Sequence, residues 1–354
     1  MRRGGCSSPT SLSPRRNDRA DAASDFDVAM EFQLIRKRGA IMLAVLAVAA
    51  TASAQDWPQR PVRLILPFAA GGAADVVTRI VMQRVSEQTG QSFFVDNRTG
   101  GSGNIGSEAA ARAAPDGYTF LVGSPGTLAI NPHLFKALPY DALTDFVPVV
   151  HIAKFPQVLA VHGDVKAQNA KELVALAKAQ PGALNYGSGG SGSTGHLITE
   201  SFLTQAGIKV THVPFRGGAP AVQALLGGTV HMVIDGLPSF TAHLGAGRIR
   251  LLAITSGERW PGTPEVPTIA ESAVPGFDLG SWVVIAAPAK TPADILRRFA
   301  AEAVKALQVD DVRGRLRQVG ASAAGGTPEE AQRFQRGEFE KWGALVRATG
   351  AKVE

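Results

Sequence analysis

One local pattern recurs three times in this chain and limits its folding options more than any other: an apolar strand, a glycine-rich turn, then a helix. It reads Leu64-Ile65-Leu66-Pro67-Phe68-Ala69-Ala70-Gly71-Gly72-Ala73-Ala74-Asp75, then Leu184-Asn185-Tyr186-Gly187-Ser188-Gly189-Gly190-Ser191-Gly192-Ser193-Thr194, then Val213-Pro214-Phe215-Arg216-Gly217-Gly218-Ala219-Pro220. Each such turn leaves backbone N–H groups without intrahelical acceptors at a helix N-terminus, where the helix dipole also favours negative charge. Glycine lets a ligand approach that backbone, and serine and threonine add hydroxyl donors. Three such turns predict a small anion held largely by neutral donors.

Short apolar strands alternate with helical stretches along the rest of the chain, which predicts an α/β protein with largely parallel sheets. Strands are expected near 62–67, 92–96, 118–123, 147–153, 157–161, 183–186, 208–213, 230–234, 249–254 and 282–287. Val77, Ile80, Val81 and Val85 recur at the spacing of a buried helix face over 75–89. Thr327-Pro328-Glu329-Glu330 is a capping box with proline at the first helical position, and the helix it opens should end before Gly350. Thr291-Pro292-Ala293-Asp294 is expected to open another helix in the same style.

The first 54 residues lie outside that pattern. Arg36-Lys37-Arg38, an apolar run from Ala40 to Ala50 and Thr51-Ala52-Ser53-Ala54 form a secretory signal peptide with cleavage after Ala54. The apolar run is shorter than the roughly 20 residues a transmembrane helix needs. Met30 is the expected start, directly ahead of that basic segment. The 300 residues from 55 to 354 suffice for two domains, because one core rarely serves more than about 250–300. No low-complexity linker divides them. The domains are therefore expected to exchange strands at 147–153 and 282–287, with 55–153 and 282–354 in domain 1 and 154–281 in domain 2.

Composition excludes several functions. The only cysteine is Cys6, ahead of the signal, so the exported part has no disulfide, thiol nucleophile or lipid anchor. Residues 55–354 hold 28 Lys and Arg against 25 Asp and Glu, and no basic stripe with interleaved aromatics marks a nucleic-acid binder. Seven histidines show no paired metal-ligand spacing, and neither a metal nor a cofactor is expected. Gly101-Ser102-Gly103-Asn104-Ile105-Gly106 matches a dinucleotide fingerprint, but Gly123-Ser124-Pro125-Gly126 stands where its acidic residue belongs. It is read as a tight turn packing a helix against the sheet. The run from Gly190 to Leu197 has phosphate-loop glycine spacing without the required lysine.

Some polar residues have two readings. Ser188 or Ser191 with His196 is a hydrolase dyad on paper, yet no nucleophile elbow surrounds either serine. An esterase or amidase using Ser191 and His196 is the alternative to anion binding. Asp75 is read as a helix cap. Asp235, at the end of the strand Val230–Ile234, is either a ligand contact or a structural carboxylate. Arg216 is either a bidentate carboxylate partner or a surface arginine.

Taken together, the motifs resemble one family. Pro67-Phe68-x-x-Gly71-Gly72-x-x-Asp75, Asp96-Asn97-Arg98-x-Gly100-x-x-Gly103-Asn104-Ile105-Gly106, Pro115-Asp116-Gly117-Tyr118-Thr119 and Tyr186-x-Ser188-x-Gly190-x-Gly192-x-x-x-His196-Leu197 resemble the Bug-type solute receptors of tripartite tricarboxylate transporters. Pro214 to Pro220, Asp235, Val266-Pro267-Thr268-Ile269-Ala270-Glu271 and Ala287-Pro288-Ala289-x-Thr291-Pro292 continue the likeness in order.

The resemblance implies a periplasmic two-domain binding protein, type II-like, with strand crossovers, that closes on its ligand like a flytrap. It implies no catalysis. The ligand would be a small carboxylate: a dicarboxylate, a tricarboxylate, an amino acid or an aromatic acid. A membrane permease or a sensor kinase would receive the loaded form, and the receptor itself is expected to be a monomer. Carried over by motif, the ligand-binding residues are Phe68, Ala69, Ala70, Gly71, Gly72, Ala73, Ser124, Thr127, Ser188, Gly190, Ser191, Gly192, Ser193, Thr194, Arg216, Gly217, Gly218, Ala219 and Asp235. Trp282-Val283-Val284 stands where the family often has Trp-Phe-Gly, and Gly236 where asparagine is common, so the far end of the pocket is expected to differ.

Overall fold

A computed structural model describes residues 57–245 and 247–351. The expected signal peptide and the start at Met30 lie outside the described residues. Among the described residues ten strands build one long sheet, in the order Phe93–Asn97, Val62–Leu66, Thr119–Gly123, Gly280–Pro288, Phe146–His162, Met232–Gly236, Asn185–Ser188, Thr211–Pro214, with Ile249–Ile254 and Ser322–Gly325 added along Phe146–His162.

The first lobe begins with β1 (Val62–Leu66), α1 (Ala73–Thr89), β2 (Phe93–Asn97), α2 (Asn104–Ala111) and β3 (Thr119–Gly123). β1 pairs in parallel with both β2 and β3. β3 is buried along its whole length, which is why its sequence is a continuous apolar run rather than an alternating one. α1 buries Val77, Ile80, Val81 and Val85, the face its spacing predicts. It ends at Gly90, whose φ of 67° places it in the left-handed region and whose N–H bonds back to Ser86. Under this face Trp57, Phe120 and Phe299 pack with ring centroids 4.5 to 6.3 Å apart.

A wide turn at Gly126–Ile130 runs into α3 (Asn131–Leu134) and then β4 (Phe146–His162). β4 passes from one lobe to the other. Its first part pairs antiparallel with β9, and Gln157 to His162 pair with β7 and β8. The two strands expected at 147–153 and 157–161 are thus one strand of 17 residues. Pro156, which has no N–H to donate, reads as a break in sequence. In the fold it sits where β4 changes partners, opposite Gly280.

The second lobe adds α4 (Ala170–Ala179), β5 (Asn185–Ser188), α5 (Thr194–Ala206), β6 (Thr211–Pro214), α6 (Gly218–Leu226), β7 (Met232–Gly236), β8 (Ile249–Ile254) and α7 (Ile269–Ser272). β5 is parallel to β6 and to β7, so each lobe has a parallel core, and antiparallel β4 and β9 join the two. β9 (Gly280–Pro288) returns the chain to the first lobe, followed by α8 (Ala293–Leu307), α9 (Asp310–Gln318), β10 (Ser322–Gly325) and α10 (Pro328–Thr349). This is the two-domain periplasmic-binding-protein architecture with strand crossovers.

Helix starts follow local chemistry. Thr327 and Glu330 form the capping box read from sequence, and α10 stops at Gly350 with φ 62°. α8 differs from its expectation. It starts behind Pro292, and the Thr291 hydroxyl donates to the Pro288 carbonyl instead of capping the helix. The 101–106 turn behaves as a packing device: a Cβ on Gly106 would stand 2.7 Å from the Arg98 carbonyl oxygen. Among the described residues no helix is long and apolar enough to cross a membrane.

Candidate functional site

The three glycine turns follow β1, β5 and β6, so their helices begin at one end of the strands, where open α/β sheets bind ligands. The starts of α1 (Gly72, Ala73, Ala74), α5 (Ser193, Thr194, Gly195) and α6 (Gly218) all line one cavity of about 70 Å³. Helix geometry leaves the first N–H groups of each without intrahelical acceptors, and each N-terminus carries about half a positive charge. Leu66, Phe68, Ala69, Phe155 and Trp282 supply the apolar wall.

Polar atoms on the wall are short of partners. Ser124 Oγ and Gln157 Oε1 are buried with no hydrogen-bond partner among the described residues. A buried polar atom left unmatched costs about 1–3 kcal/mol, so both atoms call for a ligand or bound solvent. Among the described residues no lysine, arginine or histidine lines the cavity. Its two carboxylates have different environments.

Asp75 is committed to structure. Its oxygens accept from Gly71 N–H at 3.0 Å, Asn97 Nδ2 at 3.1 Å and Arg79 Nε at 2.9 and 3.0 Å. Burial alone would raise its carboxyl; the bonds from Arg79, Gly71 and Asn97 outweigh it and hold it below the usual carboxylate value. The capping role read from sequence thus includes pinning the first glycine turn.

Asp235 has no such cation. Oδ1 accepts from its neighbour's N–H (Gly236, 2.8 Å) and from Ser239 Oγ (2.8 Å). Burial pushes its carboxyl up to about 6, against those two bonds. Ser239 Oγ also accepts the Ala73 N–H at 2.9 Å, which links the lobes across the cleft. Glycines make that approach possible: a Cβ on Gly217 would stand 2.9 Å from the Ala69 nitrogen, and one on Gly236 would stand 2.5 Å from the Ala73 Cβ. The cleft is closed.

The predicted residues fall into three groups. Phe68, Ala69, Gly72, Ala73, Ser124, Ser193, Thr194, Gly218 and Asp235 line the cavity. Ala70, Gly71 and Ala219 lie on an outer groove, and Gly190, Ser191 and Arg216 lie on another beside Gly100 and Ile105. The rest support the loops. Thr127 Oγ1 accepts from Ser124 N–H at 3.2 Å, Ser188 Oγ bonds His212 Nε2 at 2.6 Å, Gly192 N–H donates to His196 Nδ1 at 3.2 Å, and Gly217 caps α6.

No Ser191–His196 bond exists among the described residues, so the esterase dyad has no geometry. His196 stacks on His212 with centroids 4.4 Å apart, and burial depresses the first to about 3 and the second to about 4. Both rings are neutral at pH 7. They are core.

Sequence reasoning missed the cavity floor of Phe155, Gln157 and Ser281, along with Leu66, Ala74 and Gly195, whereas Trp282, read from sequence as near the far end of the pocket, lines the cavity beside them. The floor residues sit where β4 and β9 cross, with Phe155 opposite Ser281 and Lys154 opposite Trp282. For Phe155, Gln157 and Ser281 the signal was the crossover itself, since ligands gather where strand order switches.

Comparison with known proteins identifies relatives along most of the chain. The sequence profile of the tripartite tricarboxylate transporter family receptor matches residues 77–351. A Pseudomonas sp. (strain P51) protein encoded in the tcbD–tcbE intergenic region is 39% identical over 312 residues, covering 86% of this chain and 93% of that one. Protein BugT of Bordetella pertussis is 36% identical over 315 residues, covering 89% and 97%. Among solved structures, R. palustris Rpa4515 with adipate superposes with a TM-score of 0.82 at 41% identity, covering 84% of this chain and 100% of that one. MatC from Rhodopseudomonas palustris with bound malate gives 0.78 at 31%, covering 82% and 100%. The chain belongs to the receptor family of the tripartite tricarboxylate transporters.

Proposed function

We propose that this periplasmic solute-binding protein captures a small dicarboxylate, with one carboxylate seated on the N-termini of α1, α5 and α6 and on the Ser124 hydroxyl. The observation that carries the reading is the convergence of three helix N-termini on a cavity without a side-chain cation, beside the unpartnered Ser124 Oγ. Such a wall favours an anion that neutral donors can surround, at about 1.5–3 kcal/mol for each hydrogen bond to a charged group. Two relatives that superpose closely were solved with adipate and with malate, both dicarboxylates.

Capture would proceed by hinge closure. The lobes would be 55–153 with 282–354, and 154–281, turning where β4 changes partners beside the start of β9. The donors are in place before the ligand arrives, which keeps the ordering cost small. Export through the signal peptide that ends at Ala54, with Met30 as start, belongs to the same reading. So does delivery by a monomer to a membrane permease or sensor kinase.

A thermal-shift screen of the protein, unfolded and refolded to strip bound solute, tests the ligand class. A ligand at about 100 times its dissociation constant adds about 2.7 kcal/mol, enough to move the midpoint by several degrees. Dicarboxylates should shift it, and monocarboxylates of equal length should shift it less. A response to amino acids or aromatic acids alone would move the assignment to those classes.

A further inference from the structure

The dicarboxylate reading brings a second anion next to a carboxylate that has no cation. We propose that Asp235 makes capture proton-linked: its Oδ2 takes a proton from solvent as the ligand docks, and donates it in a hydrogen bond to a ligand carboxylate. The inference rests on the dicarboxylate reading and adds a residue-level requirement to it.

The geometry leaves Oδ2 open to the ligand. Oδ1 is occupied by Gly236 N–H and Ser239 Oγ, whereas Oδ2 accepts no bond among the described residues. Oδ2 lies beside the starts of two helices: a Cβ on Gly218 would stand 2.4 Å from it, and one on Gly195 would stand 3.8 Å away. A ligand carboxylate resting on those N-termini therefore comes within hydrogen-bond reach of Oδ2. Two carboxylates in contact cannot both stay ionised, and one pKa of such a pair rises strongly.

No neighbouring element supplies a charge that would remove the conflict. On α1, Asp75 and Arg79 neutralise each other. On α5, His196 is held neutral, as is His212 on β6. On β5, the Tyr186 hydroxyl donates to Glu200, and burial with that carboxylate raises its pKa, so it stays neutral. α6 has no titratable residue, and Arg216 ahead of it opens onto the outer groove; on β4, Val158 is the register partner of Asp235, Gln157 is uncharged and Lys154 opens onto a separate pocket with Glu258 and Arg259; β9 contributes Ser281 and Trp282. The helix N-termini attract both anions to one place without separating them. Even with no ligand, burial in the closed cleft already holds Asp235 at about 6.

The sign follows from linkage. The ligand binds the protonated form, so affinity is complete below the pKa of ligand-free Asp235. It falls as pH rises above that value, by about tenfold per pH unit for one linked proton. Between pH 6.5 and 8.5 ordinary ligand carboxyls, with pKa near 4, are already ionised and contribute no slope.

Calorimetric titration with adipate and with malate, at pH 7 in buffers of different ionisation enthalpy, reads the proton directly. Wild-type protein should take up close to one proton per ligand, and its Kd should rise about tenfold per pH unit from 6.5 to 8.5. Asp235→Asn, whose amide is a permanent donor, should bind with no uptake and a flat pH profile. Binding by the wild type without proton uptake overturns the proton link and leaves the dicarboxylate reading standing. Uptake that persists in Asp235→Asn also overturns it. If neither dicarboxylate binds, the ligand reading falls and this inference falls with it.

Discussion

Ser239 Oγ accepts the N–H of Ala73 at 2.9 Å, and this single bond ties the first turn of α1 to the segment that follows β7. The same oxygen donates to Asp235 Oδ1, so the link across the cleft is also anchored to the cavity carboxylate. A bond that spans the cleft is lost when the lobes part. Ser239→Ala should therefore weaken dicarboxylate binding about fivefold, the worth of roughly 1 kcal/mol. An unchanged Kd by calorimetry would remove this bond from the closure energetics.

Ser124 separates stability from affinity. Its Oγ is buried and unpartnered, so Ser124→Ala should leave the melting temperature of the ligand-free protein unchanged or slightly higher. Ligand affinity should fall about tenfold, the equivalent of roughly 1.4 kcal/mol. A variant that melts lower but binds equally well would make Ser124 a structural residue.

Two glycines should fail in different ways. A Cβ on Gly195 would stand 2.3 Å from the Ile234 carbonyl oxygen, which is backbone and cannot turn aside. Gly195→Ala should cost about 1–3 kcal/mol of stability by overpacking. A Cβ on Gly218 meets the Asp235 carboxylate instead, at 2.4 Å from Oδ2, and that side chain can move. Gly218→Ala should lose affinity with a smaller loss of stability. Equal unfolding midpoints in urea for the two variants would contradict the distinction.

The stacked histidines give a stability slope in acid. Burial lowers His196 to about 3, with the charge of His212 adding to it, and lowers His212 to about 4, whereas both titrate near 6.5 when unfolded. Between pH 6.5 and about 4 the unfolded chain thus binds more protons at these sites, and stability falls as pH falls. His212→Gln should show a shallower fall in unfolding free energy across that window than wild type. Identical slopes would mean that these rings do not set it.

The parts legible in sequence were those written in local chemistry. Gly72, Gly217 and the run before Thr194 announced helix starts, because a glycine turn ahead of a helix has a local reason to exist. Asp75 was legible as a cap from its place in the first turn. Phe155, Gln157 and Ser281 were not legible, because they reach the cavity only where β4 passes from pairing with β9 to pairing with β7. Residues more than a hundred positions apart meet there, and no local rule marks them. The strands expected at 147–153 and 157–161 proved continuous for a related reason: β4 changes partners at Pro156 without ending. Ser191 and Arg216, drawn from the glycine turns by proximity in sequence, open onto an outer groove instead, because each turn has an inner and an outer side.

The most direct test of the account is a crystal structure of the protein grown with adipate or malate. It should show one ligand carboxylate about 2.7–3.2 Å from Ser124 Oγ and from first-turn N–H groups of α1, α5 and α6, with the cleft closed over it. A carboxylate bound in the outer groove at Arg216, with the cavity at Ser124 and Asp235 holding only water, would contradict it.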